Sequence, residues 1–367
     1  MRSFRFYIGT HASAGQDSLC LCEADFQSEV FTALHAMREI SDPTYLALYP
    51  DKILYTFGKA ADDLSVFAIR DRAVLNSLPC ASGGPCHICV DERGEFLLVA
   101  GYGSGTVSLY DLNSDGGLRS LCDFRRYSGV GYDSADRQKG AHAHFAVFYT
   151  ERDEVLVCDL GLDMTYVYEL DRESGKLRET NRSIRLPDGS GPRHLTFSDK
   201  HPDMLFVLTE MANTIFTYRF DPSSDNYVLV QQISAVYDGK SGASPSDPAL
   251  MQPATADNGS IGCAIRFTGD GKYLFVSSRL GYQSISAFRC DPDGKLTFVD
   301  RCLCGGITPR DFNLFESDDP GDQDVHLLVA NQDSNLITAL RFDRRDEKLT
   351  LLNMKMQAVK PTCILPV

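Results

Sequence analysis

Gly84-Pro-Cys-His-Ile-Cys-Val-Asp-Glu-Arg-Gly-Glu-Phe-Leu-Leu-Val-Ala100 returns in similar form as Gly262-Cys-Ala-Ile-Arg-Phe-Thr-Gly-Asp-Gly-Lys-Tyr-Leu-Phe-Val-Ser277. Each stretch predicts a short strand, a turn that contains Asp or Gly, and a second apolar strand. A third strand follows at 106–110 in one copy and at 284–288 in the other, and a further turn leads to a fourth. Four short strands per repeat, joined by Gly and Asp turns, are typical of a β-propeller blade.

The start of the first strand recurs along the chain at intervals of roughly 40 to 70 residues, at or above the usual period of propeller repeats. The seven starts are Pro43, Pro85, His142, Pro192, Cys263, Pro309 and Pro361. Most carry proline, which strands accept at their first residue or along an edge. The sequence therefore predicts an all-β protein, a seven-bladed β-propeller with four-stranded antiparallel blades that forms a single domain over residues 1–367.

The last start, Pro361-Thr-Cys-Ile-Leu-Pro-Val367, ends the chain, and no strand follows it. The N-terminal stretches 5–10 and 18–24 have strand character. We therefore expect the C-terminal strand to complete the first blade beside the N-terminal strands, which closes the ring and leaves no long open edge. Two polar linkers, 128–140 and 237–260, each lead into a first strand, and loops of this length usually serve function.

The 367-residue chain is acidic, with a formal net charge of −14, 43% apolar residues and 23% charged residues. This balance predicts a large buried core and argues against nonspecific binding to nucleic acid or anionic lipid. A local group of arginines can still bind a small anion. The chain has no apolar run near the roughly 18 residues that span a bilayer, and its first residues lack the apolar segment of a secretory signal. We expect a cytoplasmic protein with neither a membrane nor nucleic acid as partner.

The chain contains twelve cysteines, which we expect to be reduced in the cytoplasm. Their spacing lacks the two Cys-x-x-Cys pairs that build a typical zinc site. We interpret them as small apolar side chains of the core. No metal is expected.

Aligning the repeats places polar side chains at matching positions of the first strands. One position holds Tyr45, His87, His144, His194, Ala264, Asp311 and Cys363, and the position before it holds Thr44, Cys86, Ala143, Arg193, Cys263, Arg310 and Thr362. A second ring, at the ends of second strands, holds Tyr102, Asp159, Glu210, Arg279 and Asn331. Together the rings predict a polar floor around one mouth of the channel.

Several of these residues also have a purely structural explanation. His142 and His144 are two residues apart, so they point the same way on a strand, where both could bond to nearby backbone. Arg193 could form a salt bridge at a blade junction, and Glu210 could cap its strand. Function therefore rests on the group of residues rather than on any one of them.

Short motifs extend over essentially the whole chain. They are Gly84-Pro-Cys-His, Ala100-Gly-Tyr-Gly-Ser-Gly, Arg137-Gln, His142-Ala-His144, Asp159-Leu-Gly-Leu-Asp, Gly191-Pro-Arg-His, Thr209-Glu-Met-Ala-Asn, Asp270-Gly-Lys-Tyr-Leu-Phe-Val-Ser-Ser-Arg279, Thr308-Pro-Arg and Ala330-Asn-Gln-Asp-Ser. In these motifs the chain resembles the propeller-type lactonases, the family that includes bacterial 6-phosphogluconolactonases. The family often has Glu where this chain has Ala264, and Asn where it has Gly101.

The resemblance implies a lactonase that hydrolyses a small anionic sugar lactone, 6-phosphogluconolactone above all, without a metal or organic cofactor. It places the reactive groups at His142 or His144, Arg193, Glu210 and Arg279. In this hypothesis one of His142, His144 and Glu210 is the general base, while Arg193 and Arg279 stabilise the oxyanion. The residues expected to bind substrate are His87, Tyr102, Asp159, His194, Arg266, Arg310 and Asn331, of which Arg266 or Arg310 would hold a phosphate or carboxylate.

Two alternatives stay open at this point. The same family contains fungal-type 3-carboxy-cis,cis-muconate lactonizing enzymes, which run lactone chemistry in the closing direction with similar groups. A noncatalytic propeller that binds a ligand or a protein is the other alternative, although the chain has no tryptophan and so lacks the Trp-Asp repeat of the commonest scaffolds. We expect a monomer or a weak homodimer.

Overall fold

The computed structural model describes residues 3–49, 53–236, 260–317, 319, 321 and 323–367. Within these ranges the chain forms 29 β-strands and two short 3-10 helices, Thr150–Arg152 and Gln332–Ser334. The strands make seven separate sheets, which fall into two compact units. Among the described residues, none belongs to a helix with the length and apolarity needed to cross a membrane.

Unit 1 comprises Met1–Ile8, Cys20–Ala36 and Arg193–Val367. Its first sheet has the order β29-β1-β2-β3, and its other three sheets each follow chain order. The strands of these four sheets are β1 Ser3–Thr10, β2 Leu19–Asp25, β3 Val30–Met37, β17 Pro192–Ser198, β18 His201–Thr209, β19 Thr214–Asp221, β20 Asn226–Ser234, β21 Ile261–Phe267, β22 Tyr273–Arg279, β23 Ser284–Cys290, β24 Leu296–Leu303, β25 Pro309–Glu316, β26 Asp324–Asn331, β27 Leu336–Asp343, β28 Lys348–Gln357 and β29 Pro361–Pro366.

Unit 2 comprises Gly9–Leu19 and Met37–Pro192. It contains two four-stranded sheets and one sheet in which a short fifth strand, β16, pairs with β14. The strands of these three sheets are β4 Leu46–Tyr49, β5 Ile53–Ala60, β6 Asp63–Arg70, β7 Ala73–Pro79, β8 Pro85–Val90, β9 Phe96–Gly101, β10 Thr106–Leu112, β11 Leu118–Arg126, β12 Ala143–Tyr149, β13 Glu154–Asp159, β14 Met164–Asp171, β15 Lys176–Glu179 and β16 Ile184–Arg185.

The sheet β29-β1-β2-β3 joins the two ends of the chain, as the sequence predicted. The last residue is tied in as well, because the backbone N–H of Val367 donates to the carbonyl oxygen of Arg5 at 3.0 Å. The proline at the start of β29 causes no loss of pairing, since a first strand residue does not need to donate to a neighbour. Four of the seven predicted strand starts, at Pro85, Pro192, Pro309 and Pro361, hold to the residue. The other three are displaced, since β12 begins at Ala143, β21 at Ile261 and β4 at Leu46.

The core of each unit lies between neighbouring sheets and is strongly aromatic. In unit 1, Phe275 and Phe342 are fully buried, and their rings meet edge to face at 5.1 Å. In unit 2, Tyr55 is also fully buried between two sheets, and its hydroxyl donates to the carbonyl oxygen of Gly116 at 2.7 Å. Burying a phenylalanine side chain is worth about 1.5 to 3 kcal/mol, so these interfaces hold the sheets rigidly and fix the strand ends that carry polar groups.

The first strands of several sheets share a bulge near their start. Register shifts occur between Pro85 and His87 in β8, Ala143 and Phe145 in β12, and Pro309 and Asp311 in β25. A bulge inserts a residue that has no direct partner and turns its side chain away from the regular alternation. Cys86, His144 and Arg310 therefore occupy the same bulged position of their strands.

Candidate active site

Charged side chains gather at one end of three neighbouring sheets of unit 1. In an antiparallel hairpin the start of the first strand and the end of the second lie side by side. Arg193 and Arg310 are second residues of β17 and β25, Arg279 is the last residue of β22, and Glu210 directly follows β18. The fold thus places all four at the same end of their sheets.

Glu210 forms ion pairs with two arginines. Arg193 donates from Nε to Glu210 Oε2 at 2.8 Å, and Arg279 Nη2 lies 3.3 Å from Glu210 Oε1. The side chains of Arg193 and Glu210 are 2% and 1% exposed, whereas that of Arg279 is 16% exposed. The structure therefore brings three of the predicted reactive residues together, with Arg279 as the arginine that reaches solvent.

The guanidinium of Arg193 is buried and bonds to other groups of the protein. Its Nη1 donates to Nε2 of His194 at 2.8 Å and to the carbonyl oxygen of Cys263 at 2.5 Å. Because Arg193 and His194 are each 2% exposed, neither is placed to touch a ligand from solvent. The bonding pattern indicates that Arg193 orients Glu210 and that His194 supports Arg193.

Arg310 adds a third guanidinium to this cluster. It is half-buried and donates from Nη1 to Oε1 of Gln332 at 3.0 Å. Burial, followed by the positive charges of Arg193 and Arg279, lowers the pKa of Arg310 to about 10. Arg310 remains charged at neutral pH. The charges of Arg193, Arg279 and Glu210 thus all act on Arg310, and these four side chains together carry a positive excess in an acidic chain.

Arg266, the other arginine expected to bind an anion, is neutralised by Asp311. Its Nη2 donates to Asp311 Oδ1 at 2.9 Å, and Asp311 is 1% exposed. Burial raises the pKa of Asp311, although the charge of Arg266 opposes that shift. Asp311 Oδ2 also accepts a bond from the backbone N–H of Ile364 and so ties β25 to β29. We interpret the Arg266–Asp311 pair as structural.

Unit 2 carries imidazole and phenol groups where unit 1 carries charges. The ring of His142 stacks on that of Tyr102 at 4.2 Å and 10°. His142 Nδ1 lies 2.8 Å from the backbone carbonyl oxygen of Tyr102, which can only accept, so Nδ1 carries a proton. In the neutral ring Nε2 then has the lone pair. His142 is half-buried, so this nitrogen belongs to a side chain that solvent reaches.

His144 and His87 are more deeply enclosed. They are 6% and 4% exposed, and His87 packs against Tyr45 at 4.4 Å and Phe145 at 3.9 Å. The sequence analysis aligned His144 with His87 at one position of the first strands, and this alignment is wrong by one residue. Because of the bulges, His87 is opposite Ala100 whereas Phe145, not His144, holds the matching place in β12.

The second predicted ring also combines two positions. Asp159 and Asn331 are the last paired residues of their hairpins, opposite Met164 and Leu336. Glu210 and Arg279 come one residue later, because Glu210 follows Thr209, the last residue of β18, and Arg279 follows the pair Ser278–Ser284. In the hairpin of β9 and β10 the last pair is Gly101 opposite Thr106, so Tyr102 matches Glu210 and Arg279 in position.

Asp159 and Asn331 are accordingly turned into their own hairpins. Asp159 Oδ1 accepts backbone bonds from His142 at 2.8 Å, Gly161 at 3.0 Å and Leu162 at 3.2 Å. Burial raises the pKa of Asp159 to about 6 despite these bonds. Asn331 donates to Thr338 Oγ1 at 2.9 Å and is fully buried. Asp159 thus positions the backbone of His142, and Asn331 is a structural side chain.

The linker 128–140 of unit 2 is held by two buried residues that the sequence analysis did not single out. Gln138 donates to Asp163 Oδ1 and to the carbonyl oxygen of Leu160, both at 2.8 Å, and Asp163 accepts the backbone N–H groups of Gly189 and Gly191. Both residues lie within motifs of the family resemblance, which was the available signal. The linker also places Arg137 Nη2 3.4 Å from the Tyr102 hydroxyl. The linker predicted at 237–260 lies outside the described residues except for Ser260.

Gln332 is the site residue that sequence reasoning missed. It follows Asn331 directly and so matches Glu210 and Arg279 in hairpin position. The family motif Ala330-Asn-Gln-Asp contained it, but its role depends on the contact with Arg310.

All twelve cysteines lie in the described part of the chain, and each is a free thiol that is buried or half-buried. Burial is the largest cause of the raised pKa of Cys80 and Cys89, each to about 11. Within the described ranges, no group of three or more His, Cys, Asp or Glu side chains is arranged to hold a metal ion.

A protein-family model described as "Lactonase, 7-bladed beta-propeller" matches residues 5–366. The chain therefore belongs to the lactonase family of seven-bladed β-propellers. The predicted fold class is confirmed, and the protein is a lactonase.

Named relatives agree with this placement. A 6-phosphogluconolactonase of Bacillus subtilis is 30% identical over 372 residues, which cover 99% of this chain and 98% of the relative. A crystal structure from Lactobacillus plantarum is 27% identical with a TM-score of 0.83, covering 100% of this chain and 99% of its own. The periplasmic gluconolactonase of Pseudomonas aeruginosa has the same TM-score of 0.83 at 21% identity, with 100% and 99% coverage, and supports the fold alone.

Proposed function

We propose that this lactonase hydrolyses 6-phosphogluconolactone to 6-phosphogluconate. The observation that carries the proposal is the excess of guanidinium groups at one end of three sheets in unit 1. Such an excess suits a phosphorylated substrate, and it suits the negative charge that develops on the carbonyl oxygen during lactone opening. The Bacillus subtilis relative, named for this activity, supports the choice of substrate.

Arg279 and Arg310 are the groups that contact substrate in this proposal. Arg279 is paired with Glu210 through Nη2, and its side chain is 16% exposed. Arg310 is half-buried and has only a neutral side-chain partner in Gln332 among its described hydrogen bonds. We assign stabilisation of the oxyanion to Arg279 and no longer to Arg193. Arg193 is enclosed by its bonds to Glu210, His194 and Cys263.

Among the three candidate bases, His142 has the most suitable surroundings. Its tautomer is fixed by the carbonyl oxygen of Tyr102, which leaves Nε2 to accept a proton. Both oxygens of Glu210 are occupied by arginines, so proton uptake there would break an ion pair. His144 is 6% exposed. We therefore assign the base role to His142.

The reaction then follows in two steps. A general base takes a proton from water as the water oxygen attacks the lactone carbonyl carbon, and the resulting oxyanion is stabilised by arginine. The intermediate collapses with cleavage of the bond from the carbonyl carbon to the ring oxygen. That oxygen receives the proton held by the base, which yields the hydroxy acid and restores the base.

The test is hydrolysis of 6-phosphogluconolactone above its spontaneous rate. We expect the wild-type protein to be active and Arg279→Ala to lose roughly 10²- to 10³-fold in kcat, the size typical of a lost oxyanion donor. A matched control is Arg289→Ala, which removes an arginine from the exposed pair with Glu347 in the same unit. Hydrolysis at the spontaneous rate by the folded wild-type protein, or equal rates for wild type and Arg279→Ala, would reject the proposal.

A further inference from the structure

Three neighbouring sheets of unit 1 carry three different charges at one hairpin position. The residue where the second strand enters its turn to the third is Glu210, Arg279 or Gln332, in chain order. Glu210 directly follows β18, Arg279 follows the pair Ser278–Ser284, and Gln332 follows the pair Asn331–Leu336. These positions are negative, positive and neutral. The neutral one stands beside Arg310, whose guanidinium is repelled by Arg193 and Arg279.

Gln332 contacts Arg310 in a defined orientation. Its Oε1 accepts from Arg310 Nη1 at 3.0 Å, while its Nε2 donates to Asp333 Oδ1 at 3.2 Å. Asp333 is held in turn by Thr308, whose hydroxyl donates to Oδ2 at 2.5 Å. The amide therefore presents its oxygen to Arg310, as a carboxylate would, but supplies no negative charge.

The neutrality of Gln332 is significant because three comparable arginines of the unit have carboxylate partners. Arg193 and Arg279 share Glu210, and Arg266 has Asp311. A glutamate has the same length as glutamine and would accept the same bond from Arg310. It would also pair with the guanidinium and remove much of the local positive excess.

We propose that Gln332 is a specificity-determining residue. By holding Arg310 without neutralising it, Gln332 makes the site select lactones that carry an added anionic group, such as a phosphate, over neutral ones. This inference rests on the proposed function for the location of the site. It adds that selection for charge comes from the uncompensated Arg310 and depends on an amide at this position.

The experiment compares Gln332→Glu with Gln332→Met in the full-length protein. The first variant keeps the bond to Arg310 and adds a charge, while the second removes the bond without adding a charge. Dissociation constants are measured by titration calorimetry for 6-phosphogluconate and for gluconate, which differ by the phosphate. Circular dichroism and the unfolding temperature check that each variant folds.

We expect Gln332→Glu to raise the ratio of the 6-phosphogluconate to the gluconate dissociation constant at least about tenfold, because a new negative charge beside Arg310 repels the more highly charged ligand more strongly. Gln332→Met should change that ratio by less than about threefold, since no charge is added. An unchanged ratio in folded Gln332→Glu overturns the inference. Equal changes of the ratio in both variants overturn it too, because they indicate only a structural role, and so does a wild-type protein without preference for 6-phosphogluconate.

The binding measurement separates this inference from the proposed function. If the wild-type protein hydrolyses the lactone but Gln332→Glu leaves the ratio unchanged, the function stands and the specificity role falls. If hydrolysis stays at the spontaneous rate but the ratio shifts as expected, unit 1 contains an anion-selective site whose chemistry is not the proposed one.

Discussion

The two units use the same strand ends for different chemistry. In unit 1 these ends carry full charges that are buried and paired, as in the contacts of Arg193 and Arg279 with Glu210. In unit 2 they carry imidazole and phenol rings, and His142 is held by stacking on Tyr102 and by a backbone oxygen. A paired charge costs desolvation and depends on its partner, whereas a stacked imidazole keeps a proton acceptor at modest cost. Substitutions should therefore destabilise unit 1 and should impair proton transfer in unit 2.

The largest expected effect on stability is that of Glu210→Gln. Two guanidinium groups would lose their carboxylate while Arg193 stays buried, so we expect the free energy of unfolding to fall by about 3 to 5 kcal/mol. Denaturant unfolding followed by circular dichroism measures this change. Glu23→Gln is the control, because its pair with Arg5 is exposed and should be worth no more than about 1 kcal/mol. Equal losses in both variants would contradict the contrast between paired and exposed charges.

For unit 2 we expect His142→Asn to lower kcat for 6-phosphogluconolactone roughly 10²- to 10⁴-fold with little change in stability. Asparagine retains a polar side chain but cannot exchange a proton near neutral pH. Initial rates corrected for spontaneous hydrolysis give the effect. His87→Asn is the comparison variant, since His87 packs between Tyr45 and Phe145. A larger loss of kcat in His87→Asn than in His142→Asn would move the base to another residue.

Asp159 predicts a pH dependence of stability. Burial raises the pKa of Asp159 to about 6 in the folded state, whereas an unfolded aspartate titrates near its usual value of 3.8. The folded state therefore binds this proton more tightly, and the stabilisation is present below pH ~4 and is lost as the pH rises through about 6. Relative to Asp159→Asn, the free energy of unfolding of the wild-type protein should fall by about 2 kcal/mol between pH 4 and pH 7. Urea unfolding of both proteins at each pH measures the difference in their free energies of unfolding. A difference that stays constant with pH would show that the pKa of Asp159 is not raised in the folded state.

The smallest effect is expected for Tyr102→Phe. This change removes the 3.4 Å contact of the hydroxyl with Arg137 but keeps the ring on which His142 stacks. A bond of that length is weak, so kcat should fall by less than about threefold. Tyr102→Ala, which removes the ring, should lower kcat more. If both variants behaved alike in the lactone assay, stacking would not be what positions His142.

The fold could be predicted from the sequence because its signals are local and repeated. Proline at Pro85, Pro192, Pro309 and Pro361 marks strands that begin at those residues, and the unpaired terminal stretches predicted the sheet β29-β1-β2-β3. No comparable pattern in the sequence predicted the division into two compact units.

The site was predicted less well, for reasons of register. A bulge adds a residue without any change in composition, so His144 was aligned with His87 although it matches Cys86 and Arg310. The sequence also does not indicate which side chains are buried, since nothing in Gly191-Pro-Arg-His shows that Arg193 lies beneath Arg279. The other site residues were predicted, but Gln332 was missed, and the division into buried supports and exposed contacts required coordinates.

The sheet that joins the two ends of the chain has a consequence for biosynthesis. Strands β1 to β3 leave the ribosome first, but their partner β29 is the last strand to be made. Until β29 is made, β1 presents an unsatisfied edge, which is a template for association with other chains. A nonsense mutation at Pro361 would leave that edge open permanently, so we expect such a product to aggregate or to be degraded even though every residue assigned a catalytic or substrate-binding role above is present.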